Sequence, residues 1–509
     1  MLSAKIRKNE RKAKEKCHFL FIYSYLCAVI IVLTVLIYFV VLFCVSRWTG
    51  RKATNETFFR AERKSPWYMV AFGMVGASIS GVTFVSVPGM VMKMDMTYLQ
   101  TCLGFILGYF VVAFVLLPIY YRLNLTSIYT YLGRRLGPRA YKTGAWFFLI
   151  SKMSGAAVAF YVVCMLLQRF VFDGMGVPFA VTVTGLVVLI WLYTRRGGIK
   201  TLVWTDTVQT FCLLGTLLLI IYKVIGELGM TFGEAVTAVH DSPMSRIFVM
   251  DDWINRQNFW KQFLSGIFIV IVMTGLDQDK MQKNLTCRTL RDAQKDMCSY
   301  GFAFVPVNLL FMALGVLLVL LADSRGMTLP VMGDELLPMF AATGKLGYVV
   351  VVLFTIGIVA ASFSSADSAI TSMTTSYCID ISGKPDDERL RRRAHLLMSV
   401  VFIVFILLFR LLNSTSVIDA VYVLVSYTYG PLLGLFAFGL LTKRQPRDKF
   451  VPYIAVASPL ICLVIDKTSA AAGYTFGYEL LMLNGLLVFM MLLFSSFRYT
   501  PSAACQSAS

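Results

Sequence analysis

The sequence predicts an all-α, polytopic membrane protein, and three observations carry that reading. Of 509 residues, 58% are hydrophobic and 15% charged, whereas soluble proteins carry about 25% charged residues. So little polar surface cannot cover a water-soluble globule of this length. The apolar residues fall in runs of about 20, the length that spans a hydrocarbon core. The basic residues, 47 Lys and Arg against 28 Asp and Glu for a net charge of +19, cluster between those runs. Such clusters mark cytoplasmic loops, whereas a nucleic-acid interface would gather them on one polar face.

Thirteen segments qualify as spans, near 20–46, 67–92, 99–121, 144–172, 178–194, 201–222, 259–276, 299–322, 347–377, 397–412, 417–441, 450–466 and 478–497. Alternate loops carry the basic clusters: Arg47 to Lys64, Arg122 to Lys142, Arg195 to Lys200, Lys280 to Lys295, Lys384 to Arg393 and Lys443 to Lys449. The intervening loops are poor in Lys and Arg, and the longest, 224–258, carries Glu227, Glu234, Asp241, Asp251 and Asp252. The first set is therefore expected on the cytoplasmic side, with the N-terminus outside and the C-terminus inside. Residues 1–25, with seven basic residues by Lys16, conflict with that scheme. They read as an extension beyond the functional fold, since the apolar run that follows is too long for a cleaved signal peptide. The chain ends in a short tail, 498–509, with no soluble domain expected after the last span.

Enzymatic chemistry finds little support. His18, His240 and His395 are isolated, the eleven Cys include no CxxC pair, and no nucleophile, base or metal-ligand spacing stands out. No GxxxxGKS is present to cradle ATP, so any uphill transport is expected to draw on an ion gradient.

The spans themselves are interrupted. The second holds Gly73, Gly76, Ala77, Ser78, Ile79, Ser80, Gly81 and Thr83, and closes with Ser86-Val87-Pro88-Gly89. The seventh holds Thr274-Gly275 and runs into Asp277-Gln278. Broken helices are tolerated in a bilayer where they line a site, and a pair at corresponding positions of two halves points to an inverted-repeat transporter with a midplane site. Close helix packing at small residues is the plainer alternative for either segment alone. The ninth span carries Ala361, Ser362, Ser364, Ser365, Asp367 and Ser368, then Thr371 to Ser376. Carbonyl and hydroxyl oxygens one turn apart offer neutral ligands to a small hard cation, although each hydroxyl can instead bond back within its own helix. Asp367 is an ionisable group inside a span and hence a functional candidate. Asp206 is a second, a turn or two inside the sixth span, where a solvated carboxylate is the competing reading. Lys152 is a third, for which pairing with a carboxylate is expected ahead of solute contact.

These residues resemble the sodium:solute symporter family, over nearly the whole chain from about Leu26. The most specific pieces are the stretch 197–209, the stretch 361–368, Asp277-Gln278 with Gln282-Lys283, and Tyr429-Gly430-Pro431-Leu432-Leu433-Gly434-Leu435-Phe436. The resemblance implies a leucine-transporter-type fold of two inverted five-helix repeats, 67–222 and 259–441, with a leading helix at 26–48 and two further helices in 450–497. It implies a sodium site built from carbonyls of Gly76, Ile79 and Ala361 with hydroxyls of Ser364 and Ser365. A second cation site would involve Asp206, Asp367 and Ser368, with Asp367 standing where such members carry a hydroxyl residue. Where sugar-carrying members have a gating Tyr and a sugar-binding Gln, this chain has Met273 and Thr83, which argues against a hexose of that type. The expected cavity residues are Ser78, Ser80, Thr83, Lys152, Thr274, Ser426 and Tyr427.

The expectation is a sodium-coupled symporter of a small organic solute in the plasma (inner) membrane, with Na⁺ as coupling ion and neither ATP nor nucleic acid as partner. The alternatives are a proton-coupled symporter of the same fold and a transporter-like sensor with a separate signalling partner.

Overall fold

Backbone N–H and C=O groups in a bilayer core must bond within their own segment, and in a computed structural model of the chain the predicted spans are helical over most of their described residues. The structure describes residues 29, 31–51, 54–251, 253–341, 346–412 and 424–498. The extension 1–25 and the tail beyond Arg498 lie outside them.

The spans, in chain order, are α1 (Ile31–Thr49), the bent pair α2 (Trp67–Ser78) and α3 (Gly81–Met94), α4 (Tyr98–Arg122), α5 (Pro138–Leu167), α6 (Phe179–Thr194) and α7 (Ile199–Glu227). A second bent pair follows, α8 (Phe259–Gly275) and α9 (Gln278–Asn284), then α10 (Leu290–Ser324) and α11 (Tyr348–Ile381). The last four are α12 (Glu388–Leu412), α13 (Gly430–Leu441), α14 (Val451–Ala471) and α15 (Leu480–Ser495). The bends are 60° and 68°, and each falls where the sequence places an interruption. The first bent pair is followed by four long helices, α4–α7, and the second by six, α10–α15.

Helices α2, α3, α5, α7 and α11 form the buried centre, with α7 packed against both α2 and α11. The outer faces are apolar and exposed, as at Leu33, Leu36 and Val40 of α1 and Phe211 and Tyr222 of α7, which suits a lipid solvent. A two-stranded antiparallel ribbon, β1 (Arg444–Pro446) with β2 (Ser496–Arg498), ties the segment after α13 to the end of α15.

Several spans begin earlier than the hydropathy boundaries. Helix α10 starts at Leu290 and α12 at Glu388, so Arg391 lies inside a helix, buried, with its guanidinium 4.7 Å from the Phe58 ring centre. Apolar windows stop at the first charges, whereas helices continue until a cap ends them. The larger correction concerns Lys280 and Lys283. Read as loop residues, they sit on the buried helix α9. Of the basic residues read there, Arg288 remains in the connection, while Arg291 and Lys295 lie in the first turns of α10.

Candidate ion and solute site

The first break exposes backbone oxygens to α11. Ile79 leaves helical geometry at φ −83°, ψ 83°, and Ser80 is extended, with its Oγ capping α3 through the Thr83 N–H. Glycine brings the neighbouring helices close on either side. A Cβ at Gly76 would fall 2.0 Å from Thr210 Oγ1 of α7, and one at Gly81 would fall 1.9 Å from Ser362 Oγ of α11. Ser365 donates to Ala361 O at 3.2 Å and reaches Ala77 O at 3.5 Å. Ser365 and Ala361 are thus brought to the broken segment bearing Gly76 and Ile79. Ser364, rotated around the helix, instead donates to Asp206 Oδ1 of α7 at 2.6 Å. The carbonyl and hydroxyl oxygens at this break form a neutral donor set that fits a monovalent hard cation such as Na⁺.

The second break is held differently. Its two terminal carbonyls, Gly275 O and Leu276 O, accept the buried hydroxyls of Tyr120 at 2.9 Å and Tyr129 at 2.8 Å. Asp277 caps α9, its Oδ1 accepting the Asp279 N–H at 2.8 Å, as expected of Asp at an N-cap. The other carboxylate oxygen meets Lys152 Nζ at 3.0 Å and the Tyr429 hydroxyl at 3.0 Å. Lys152 also pairs with Asp279 at 2.6 Å, so its expected carboxylate partner is in fact two. Lys280 turns the other way and donates to Ala77 O at 2.7 Å, joining the two breaks.

The intramembrane acids are both buried. Asp206 pairs with Lys283 at 2.7 Å, so the reading of it as a solvated carboxylate fails and a lysine ammonium already balances its charge. Asp367 accepts from the Tyr193 hydroxyl at 2.5 Å and from Ser368 Oγ at 3.2 Å. Neither Tyr193 nor Lys283 was anticipated as a partner. Lys283 had a signal: Asp277, Asp279, Lys280 and Lys283 place two acids and two bases within seven residues, a local neutrality more typical of a paired cluster than of a solvated basic loop.

Between the breaks lies a cavity of about 190 Å³. Of the predicted cavity residues, Ser78, Ser80, Thr83, Lys152 and Thr274 line it, as does Met273. Tyr109 and Tyr300, not anticipated, form an aromatic wall, with the Tyr300 hydroxyl bonded to Ser78 Oγ. Ser426 and Tyr427 do not line it. Val425 and Tyr429, four residues apart and so on one helical face, take that place. Tyr427 instead donates to Asp466 of α14 at 3.0 Å, and the backbone carbonyl of the buried Ser426 accepts from Asn484 of α15 at 2.9 Å.

A helical bundle with two broken spans, neutral oxygens at one of them and a cavity beside it defines a secondary transporter of the leucine-transporter type. A model of the sodium:solute symporter family matches residues 58–448, and the chain belongs to that family. The sodium/sialic acid symporter SiaT of Proteus mirabilis (strain HI4320) is 23% identical over 436 residues, 81% of this chain and 84% of that protein. The human sodium/iodide cotransporter is 26% identical over 248 residues, 48% of this chain and 38% of that protein. Among solved structures, a substrate-bound, outward-open Na⁺-coupled sialic acid symporter aligns with TM-score 0.78 at 18% identity, over 92% of this chain and 99% of that one. The protein is thus a multi-pass membrane transporter with sodium as coupling ion, not an enzyme, and neither the proton-coupled nor the sensor alternative is favoured.

Proposed function

We propose that the chain imports a small organic solute together with Na⁺ across the cell membrane by alternating access, with its N-terminus outside and its C-terminus inside. Residues 67–222 and 259–441 are the two repeats, and the broken second span and the ninth span belong to bundles that move relative to one another. Sodium is held by carbonyls of Gly76, Ile79 and Ala361, by the hydroxyl of Ser365, and by that of Ser364 once it turns from Asp206. The observation that carries this reading is the apposition of the broken α2/α3 segment to the Ala361–Ser365 turn of α11. A cation bridging the two favours the arrangement that holds them together, and by linkage solute and sodium strengthen each other's binding equally, typically by about 5- to 150-fold. The ion gradient is the energy source, without ATP, and nucleic acid has no role.

Asp367, with Ser368, is the candidate for a second cation. Asp206 contributes to it once Lys283 withdraws. The primary site is tested on purified protein by stabilisation in NaCl over choline chloride. Loss of that stabilisation in both Ser364→Ala and Ser365→Ala is expected, while a wild-type response in both rejects the assignment.

A further inference from the structure

We propose that Lys280 is the anchor for an anionic solute, a carboxylate or comparably small anion, that shares the cavity with the sodium ion. The inference rests on the sodium-site reading above and adds the chemical class of the solute. Three lysines reach this region, and two are balanced by acids: Lys152 by Asp277 and Asp279, Lys283 by Asp206. Lys280 is 8% exposed and lines the cavity. Among the described residues its ammonium bonds a neutral carbonyl, Ala77 O, and no carboxylate lies within ion-pair distance. A lysine has three donor hydrogens, so two remain for a ligand. A buried ammonium with no carboxylate in direct contact is costly, and an anion in the cavity relieves that cost.

Charge counting points the same way. The charged side chains lining the cavity are Lys152, Lys280, Asp277 and Asp279, which sum to zero. Sodium beside Ser365, itself a cavity residue, leaves one uncompensated positive charge, which a monoanion cancels and a neutral solute does not. The contact of Lys280 with Ala77 O places it one carbonyl from Ser365 Oγ. Sodium arriving at the break repels the ammonium toward the cavity, where it meets the anion. Hydroxyls of Ser78, Ser80, Thr83 and Thr274 remain to bond the rest of the solute.

The test is a thermal-shift series on purified full-length protein, in NaCl and in choline chloride. The anionic probes are pyruvate, N-acetylneuraminate and iodide, and the neutral probes are glucose and myo-inositol. At least one anion is expected to raise the melting temperature in NaCl only, with no shift from either neutral probe. Lys280→Met is expected to lose the anion shift and Lys280→Arg to keep it. Stabilisation by NaCl alone, measured on every variant, reports an intact fold and sodium site. If that response is absent from the wild type, the sodium reading fails. If it is present and no anion shifts the wild type, a neutral probe does so, or Lys280→Met keeps the full anion shift, the Lys280 proposal is overturned while the sodium reading stands.

Discussion

The two broken spans solve the same problem with different chemistry. Each interruption leaves backbone carbonyls without helical partners inside a bilayer, where an unsatisfied group costs several kcal/mol. At the second break the carbonyls of Gly275 and Leu276 are bonded by two buried tyrosine hydroxyls, and the cap residue Asp277 is clamped by Lys152 and Tyr429. At the first, the Ala77 carbonyl is met by the terminal groups of two flexible or rotatable side chains, Lys280 and Ser365. One break is fastened by rigid aromatic partners; the other is attended by groups that can exchange with an ion. On the sodium-site reading proposed above, the fastened carbonyls of the second break hold the fold, and the first break is where the ion is expected.

The difference can be broken most forcefully at Lys152. Lys152→Met strands the Asp277 and Asp279 carboxylates, and breaking a buried pair in this way typically costs about 3–5 kcal/mol. Loss of monodisperse protein on size-exclusion chromatography is expected, with recovery in the triple variant carrying Asp277→Asn and Asp279→Asn as well. Failure to recover would show that Lys152 acts beyond charge balance. A smaller effect is expected at Asp367, where Asp367→Asn should leave the fold intact and reduce the number of ²²Na⁺ ions bound per protein. An unchanged count would make that acid structural. The smallest expected effect is that of Tyr129→Phe, which removes one hydroxyl–carbonyl bond. Leaving a buried carbonyl unsatisfied costs about 1–3 kcal/mol, so a lowered melting temperature is expected with the apparent sodium affinity unchanged. A shift in sodium affinity there would blur the division between scaffold and site.

Much of this arrangement was legible in the sequence because local chemistry determines it. Glycine and serine within apolar runs marked both bends, the stretch 361–368 marked the turn facing the first bend, and Lys152 was readable as an ion-pair partner. What escaped depends on three-dimensional placement. A hydropathy window cannot distinguish a solvated loop lysine from Lys280 or Lys283, because it averages over charges whose partners lie on other helices. Tyr193 is an apolar-span residue like many others until α6 brings its hydroxyl to Asp367. Ser426 and Tyr427 were displaced from the cavity by the rotation of one helix, which composition does not encode.

The glycines flanking the first break also constrain its movement. Gly76 fits α2 closely against α7, and Gly81 fits α3 closely against α11. The oxygens between them therefore sit at a joint whose two leaves are fastened to different helices. When α7 and α11 shift relative to one another, the joint must flex and the spacing of its oxygens must change. With sodium at this joint, as proposed, ion affinity becomes a readout of how two neighbouring helices stand.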